Sequence, residues 1–358
     1  MQLPSHGSNP QHLYKALEIN PPEELVDFSV NINPLGAPEA VKHNWGKWLE
    51  AIYDYPDPTF AELKQTIAAK EGIEESCLLP GNGASELITL IARYLQGKKV
   101  LIIHPAFSEY EAACRSENCT IFHHVLYPPE WELDETSLER KLGLVDAVFF
   151  CHPNNPTGIQ YDRPTVEWLI DTCQKKEVLL ILDEAFYDFA DRPVTFIDKA
   201  SQSPFLLVLR SLTKMYSIAG LRLGYLAGTP EVLSQIHKRQ AHWSINAIAL
   251  KAGKTCLDDR QHVLLTRDYI KRERDRLFAY FREIGFQHSP SAINFYLIRD
   301  PSSRNQQELF SFLLRKGLVL RHTYNFPGIE GEWLRVAIKK EAENSLLMEV
   351  LSEWKREN

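Results

Sequence analysis

Four short apolar runs recur along the middle of the chain: Val100 to Ile103, Ala147 to Phe150, Val178 to Leu182 and Leu206 to Leu209. A fifth spans Leu221 to Ala227. None alternates apolar with polar residues. A strand covered on both faces has no polar side to alternate with, so each run predicts an interior strand of a mostly parallel sheet. Amphipathic stretches between the runs, such as Thr165 to Lys175 and Leu87 to Leu95, predict helices on both faces. The centre of the chain is therefore α/β, and in such sheets ligands bind beyond the carboxyl ends of the strands. From about Asn246 the pattern changes to a long charged helix around Arg267 to Glu283 and an alternating strand at Asn294 to Ile298, which predicts a smaller α+β unit. The first forty-five or so residues hold Pro4, Pro10, Pro21, Pro22, Pro34 and Pro38, too many for a compact core of their own. They are expected to form an arm over the other domain or a partner subunit. The division expected is 1–45 as arm and part of the small domain, 46–245 as the large domain and 246–358 as the small C-terminal domain.

The residues after the strand runs are polar and specific: His104 to Phe107, then CHPNNPTG at Cys151 to Gly158, DEAFYDF at Asp183 to Phe189, and RSLTKMYSIAGLRLGY at Arg210 to Tyr225. Together they direct an aromatic ring, an amide, a carboxylate and an amine towards one edge of the sheet. Lys214 can form a Schiff base with an aldehyde if its neighbours lower its pKa. Ser211, Thr213 and Arg222 around it suit a phosphate group, the guanidinium by two parallel charge-assisted bonds. That combination suggests pyridoxal phosphate, against the alternative of a basic surface loop. Asp183 ends a buried strand and needs a partner for its charge, for which a protonated pyridine nitrogen or a loop cap would serve. Asn155 could donate to the ring's phenolic oxygen or simply build a turn. Phe107 could stack on a flat ring or belong to the core.

In PGNGASE, Pro80 to Glu86, the amides of Ala84 and Ser85 with the Ser85 hydroxyl make a phosphate cradle at a helix start. This is no dinucleotide fingerprint, since Glu86 replaces the third glycine and no strand is expected directly before it. Arg321 in LVLRHTYNFPG and Arg335 in WLRVAIK interrupt apolar runs, and either suits a carboxylate, a phosphate or a structural ion pair.

Composition narrows the classes. With 358 residues, 44% hydrophobic and 24% charged, the chain is long enough for a large domain plus a smaller one and is not disordered. A net charge of −7 without an uninterrupted basic block argues against nucleic acid. The six cysteines form no CxxC pair and no metal-ligand spacing with the histidines, so reduced, packed thiols and no metal are expected. No charged lead with an apolar run and no window of eighteen apolar residues occurs, so neither secretion nor membrane insertion is expected, and a cytoplasmic location follows.

Taken together, NPLG at Asn33 to Gly36, YPDP at Tyr55 to Pro58, GNGASE, PNNPTG, LDEAF, RSLTK with Arg222, and LRVAI resemble the fold-type-I pyridoxal phosphate enzymes, in order and spacing along nearly the whole chain. Within them the chain resembles the histidinol-phosphate aminotransferase branch. HGSN at His6 to Asn9, DFSVNINPLG at Asp27 to Gly36 and WSINA at Trp243 to Ala247 make it more similar to the threonine-phosphate decarboxylases of cobalamin biosynthesis. The resemblance implies a mostly parallel sheet sandwiched by helices, with a smaller domain and an arm. Lys214 would carry the cofactor, Asp183 would meet the pyridine nitrogen and Asn155 the phenolic oxygen. Ala84, Ser85, Ser211 and Arg222 would hold the phosphate, with Tyr55 reaching across from a second subunit of a homodimer. A small phosphorylated amino acid would meet His6, Gly7, Asn31, Asn155, Arg321 and Arg335. The implied reaction is decarboxylation of O-phospho-L-threonine, with transamination of histidinol phosphate as the alternative. A cofactor-binding regulator is more distant, because the arm has no room for a DNA-binding module. One departure is that Phe186 stands where the related aminotransferases carry tyrosine.

Overall fold

The computed structural model describes residues 3, 4, 7 and 9–357. An N-terminal segment carries helix Pro10–Leu17 and the short strand β1 (Val26–Asp27). The main sheet follows, built from β2 (Leu78–Gly81), β3 (Lys99–His104), β4 (Thr120–Val125), β5 (Ala147–Cys151), β6 (Leu179–Asp183), β7 (Leu206–Ser211) and β8 (Gly224–Ala227). Its order is β2-β8-β7-β6-β5-β3-β4. All neighbours are parallel except that β8 runs antiparallel to both β7 and β2.

Successive side chains of the central strands alternate between two apolar clusters. Val148 and Phe150 of β5, Leu180 and Leu182 of β6, and Leu206 and Val208 of β7 face one. Ala147, Phe149 and Cys151, Leu179 and Ile181, and Leu207 and Leu209 face the other. Both faces are dry, which is why the runs are continuous in sequence. The parity also aims the polar residues that follow. Asp183 continues the series Leu179, Ile181, and Ser211 continues Leu207, Leu209, so both point to the second face, where helices Gly83–Tyr94 and Glu109–Ser116 pack. Arg210 has the opposite parity and is buried against Glu184, with Nε 2.8 Å from Oε2.

Two expectations need correction. The apolar run from Leu221 yields strand only from Gly224, because Ala219–Leu221 forms a 3-10 turn and Arg222 takes a left-handed conformation with φ 58°. A strand does precede PGNGASE: β2 pairs with β8 from Leu78↔Ala227 to Gly81↔Gly224. It is only four residues long, ends in Pro-Gly and has an unbroken neighbour on one side only, so its periodicity is too brief to register.

The C-terminal unit contains helix Arg260–Glu283, β9 (Gln287–His288), β10 (Phe295–Arg299), β11 (Leu318–Val319), β12 (Arg321–His322) and β13 (Leu334–Ala337). Four of these strands form an antiparallel sheet of order β12-β13-β10-β9. β1 joins this unit by pairing with β11 in parallel, and Tyr14 of the first helix donates to the Leu314 carbonyl at 2.7 Å. Leu13, Tyr14 and Phe28 are buried, so the N-terminal segment shares the core of the C-terminal unit. Among the described residues no helix is long and apolar enough to cross a membrane.

Candidate active site

A cavity of about 250 Å³ opens at the carboxyl ends of β5, β6 and β7, where the main sheet meets the N-terminal segment and the C-terminal unit. Its floor is the start of helix Gly83–Tyr94. The Asn82 side chain does not cap that helix, and among the described residues no side chain accepts from the first-turn amides of Ala84 and Ser85. Gly83 has φ +77°, and a Cβ there would lie 2.6 Å from Arg222 Nη2. The glycine therefore admits the guanidinium to the helix start. Ser211 and Thr213 bring their hydroxyls within 2.8 Å of each other on the same side. Helix amides, two hydroxyls and a guanidinium form a cradle for a doubly charged anion such as a phosphate.

Lys214 enters from the loop after β7, where Asn33 fixes the backbone. The Asn33 amide N–H donates to the Lys214 carbonyl at 3.1 Å, and its side chain donates to the Met215 carbonyl at 2.8 Å and the Thr266 hydroxyl at 2.7 Å. Burial, then the charges of Arg335 and Arg222, lower the Lys214 pKa to about 8, and Asp183 opposes them. An amine so placed is within reach of its nucleophilic form near neutral pH.

Asp183 is buried and accepts from the Tyr110 hydroxyl and from the Ala185 amide at 2.9 Å. Burial pushes its carboxyl up, against those two hydrogen bonds and the charge of Lys214. Among the described residues no cationic group lies within 4 Å of it. A protonated ring nitrogen would supply the missing cation, so this end of the cavity fits a pyridine. Tyr110 stacks on Phe149 with centroids 5.0 Å apart and meets Phe107 edge-on at 5.8 Å. Phe107 lines the cavity, as does Phe186, whose apolar ring packs edge-on against Phe295 at 4.8 Å. Tyr187 does not line it, and its ring lies under the Arg210 guanidinium at 3.6 Å.

The far wall holds two arginines. Arg321 on β12 and Arg335 on β13 are direct register partners of an antiparallel pair, and both are buried. Like charges opposite one another repel, and burial lowers the Arg321 pKa to about 10 and the Arg335 pKa to about 9, Arg321 adding to the second shift. Arg335 donates to Asn155 Oδ1 and to the Ser29 carbonyl, both at 2.7 Å, while its Nε has no partner among the described residues. With its oxygen engaged, Asn155 has its NH₂ left as donor. Arg321 donates to the His322 carbonyl at 2.8 Å and to Asn325 Oδ1 at 2.6 Å. Asn31 lines the same wall with an Oδ1 that has no partner among the described residues, and a Cβ on Gly7 would come 2.7 Å from the Ser29 carbonyl.

The cavity thus gathers Gly7, Asn31, Ala84, Ser85, Phe107, Asn155, Asp183, Ser211, Thr213, Lys214, Arg222, Arg321 and Arg335, all of them expected from the sequence. His6 lies outside the described residues. Tyr55 stands apart from the cavity, 80% exposed and tilted against the Trp243 ring at 4.9 Å. Sequence reasoning missed three contributors: Tyr110, Cys151 and Asn33. Tyr110 was legible as the residue one helical turn after Phe107, and Cys151 as the register partner of Asp183 across β5 and β6. The residues present fit pyridoxal phosphate at three separate points: a phosphate cradle, a buried carboxylate without a cation and a low-pKa amine.

Residues 23–351 match the family model described as aminotransferase class I and II. The chain is 35% identical to a threonine-phosphate decarboxylase of Salmonella typhimurium, covering 97% of this chain and 95% of that protein. It is 31% identical to an adenosylcobalamin biosynthesis bifunctional protein of Leptospira interrogans, covering 98% of this chain and 41% of that one. A solved structure, the histidinol-phosphate aminotransferase of Clostridium acetobutylicum, superposes with a TM-score of 0.88 at 29% identity, covering 93% of this chain and 100% of that chain.

Proposed function

From the premise that this chain belongs to the aminotransferase class I and II family and is a pyridoxal phosphate-dependent enzyme, we propose that it decarboxylates O-phospho-L-threonine to (R)-1-amino-2-propanol O-2-phosphate, in cobalamin biosynthesis. The observation that carries this reading is the facing pair Arg321 and Arg335. Two buried guanidiniums face each other with unfavourable mutual charge, an arrangement suited to a ligand with two anionic groups, and phosphothreonine brings two, a phosphate and a carboxylate. The 35% identity to a threonine-phosphate decarboxylase supports the choice.

When bound, the cofactor supplies an electron sink for the pair released at the substrate's α-carbon. Ala84, Ser85, Ser211, Thr213 and Arg222 would hold its phosphate, Asp183 its ring nitrogen, Asn155 its phenolic oxygen, and Lys214 would carry it. Tyr110 donates to Asp183, which favours its ionised form against burial and orients it. Arg321 and Arg335 would fix the substrate's phosphate and carboxylate, and so decide which bond at the α-carbon is presented for cleavage. A decarboxylase presents the carboxylate bond for cleavage; a transaminase presents the hydrogen. As the carbon–carboxylate bond breaks, carbon dioxide leaves and the α-carbon takes one proton, from the Lys214 ammonium or from water. Phe186 offers no hydrogen bond to the phenolic oxygen, so Asn155 would be left to hold it.

Exposed apolar side chains along 45–55, Trp45, Leu49, Ile52, Tyr53 and Tyr55, support a face for a second copy, which would bring the partner's equivalent of this stretch to the phosphate. The likeness to histidinol-phosphate aminotransferase favours transamination as the second reading. Product analysis by mass spectrometry with phosphothreonine, phosphoserine and histidinol phosphate, with and without 2-oxoglutarate, separates the two. Carbon dioxide release from phosphothreonine without any keto acid is the expected result. Turnover that requires 2-oxoglutarate and leaves the carboxylate in the product would refute it.

A further inference from the structure

A second group of convergent side chains lies at the β4 edge of the main sheet, outside the cavity. His104 ends β3, His123 lies on β4, and Glu111 sits in the first turn of helix Glu109–Ser116. His123 Nε2 is 2.9 Å from Glu111 Oε2, and His104 Nε2 is 3.9 Å from the same oxygen. One ligand atom from each residue falls within 4.8 Å of the others. Arg115 occupies the second carboxylate oxygen, with Nε at 2.7 Å and Nη2 at 2.6 Å from Oε1, so Oε2 alone faces the two rings.

His104 is the informative member. It is only 4% exposed, and neither of its ring nitrogens has a hydrogen-bond partner among the described residues. A buried polar atom left unsatisfied is costly and rare in folded proteins. Its Nε2 faces a carboxylate oxygen that stands too far for a hydrogen bond and at a distance an ion could bridge.

We propose that His104, Glu111 and His123 bind a divalent transition-metal ion of the zinc class, with water completing its coordination. Ligands at about 2.0–2.1 Å from a tetrahedral zinc stand roughly 3.3 Å apart, a separation that the two observed distances bracket. Two imidazoles and one carboxylate select zinc, copper or nickel over magnesium and calcium, which take oxygen ligands. The ion replaces the proton shared by His123 Nε2 and Glu111 Oε2, and that proton passes to solvent. Bound there, it ties β3, β4 and helix Glu109–Ser116 together. The same strand and helix deliver Phe107 and Tyr110 to the cavity, so the ion steadies one wall of the active site without touching it. The three ligands come from three different elements, which is why no short spacing in the sequence betrays them.

The test uses the cofactor-loaded full chain, freed of metal by a chelator and titrated with zinc chloride against a chromophoric competitor, with bound zinc counted after gel filtration. One zinc per chain, a zinc-dependent rise in melting temperature and no competition from magnesium are expected. His123→Ala removes a partly exposed ring and should weaken zinc binding by about 100-fold or more, since even outer partners of metal ligands are worth about 10–100-fold. Glu111→Gln should do the same, and His43→Ala, at an exposed histidine of helix Glu39–Trp48, should change nothing. Retained cofactor absorbance and an unchanged metal-free melting temperature certify each variant as folded. Failure of the parent chain to take up zinc, parent-like zinc affinity in both variants, or equal competition by magnesium would overturn the proposal.

Discussion

Tyr110→Phe isolates how much the Asp183 carboxylate depends on its neighbours. The substitution keeps the ring, and with it the stack on Phe149 and the edge contact with Phe107, and removes only the hydroxyl that donates to Asp183. Asp183 then has the Ala185 amide as its remaining hydrogen bond. A hydrogen bond to a charged group contributes about 1.5–3 kcal/mol, which at 1.36 kcal/mol per decade is roughly 10- to 150-fold in the stability of the ionised form. Burial already raises the Asp183 pKa, and Tyr110 is the first of the groups that lower it, so the variant's carboxyl rises further. A carboxyl with a raised pKa is ionised only above that pKa. The deficit is therefore greatest at low pH and shrinks as pH increases. We expect kcat/KM and cofactor affinity to fall about tenfold or more near neutral pH, with partial recovery in alkaline buffer. Steady-state kinetics across pH, paired with cofactor titration of the apoenzyme, gives both readouts. A variant indistinguishable from the parent at every pH would refute the assignment of Tyr110 and weaken that of Asp183.

Arg335→Met should raise KM for phosphothreonine about 10- to 150-fold while the enzyme keeps its cofactor, as steady-state kinetics and absorbance would report; loss of the cofactor first would reassign Arg335. Gly83→Ala forces a Cβ within 2.6 Å of Arg222 Nη2 at a positive φ and should weaken cofactor binding more than it lowers melting temperature, a titration against pyridoxal phosphate being the check. With the Lys214 pKa lowered to about 8, covalent capture of pyridoxal phosphate by the apoenzyme should accelerate as pH rises towards and through 8 and then level off. In Arg335→Met, which removes the largest lowering charge, the midpoint should move upward; a midpoint at the value of an ordinary lysine in the parent chain would contradict the burial of this amine. Lys214→Ala should abolish both that covalent capture and turnover.

The sheet was legible because burial on both faces writes itself into sequence as unbroken apolar runs, and the polar residues closing those runs were legible because strand parity aims them. Asp183 and Ser211 follow from Ile181 and Leu209 by a step of two. What escaped are contacts set by elements far apart in sequence. Nothing near Asn33 announces that its amide would hold the Lys214 loop through Met215, nor does any spacing announce that Tyr110 would meet Asp183. The pairing of Arg321 with Arg335 across β12 and β13 likewise needs the register of two short strands, one of them two residues long. These long-range contacts share a direction. Each tunes a group that the local pattern had already exposed: Asn33 fixes the backbone of Lys214, Tyr110 the charge of Asp183, and Arg335 both the Lys214 pKa and the Asn155 oxygen. Local sequence therefore specifies which chemical groups reach the cavity, and tertiary packing specifies their protonation and orientation. The cofactor depends mainly on the first, whereas the choice between losing carbon dioxide and losing a proton depends on the second. Substitutions at Arg335 should on this account alter reaction rate and outcome well before they alter whether pyridoxal phosphate binds, whereas those at Tyr110, which acts through Asp183, should lower both together.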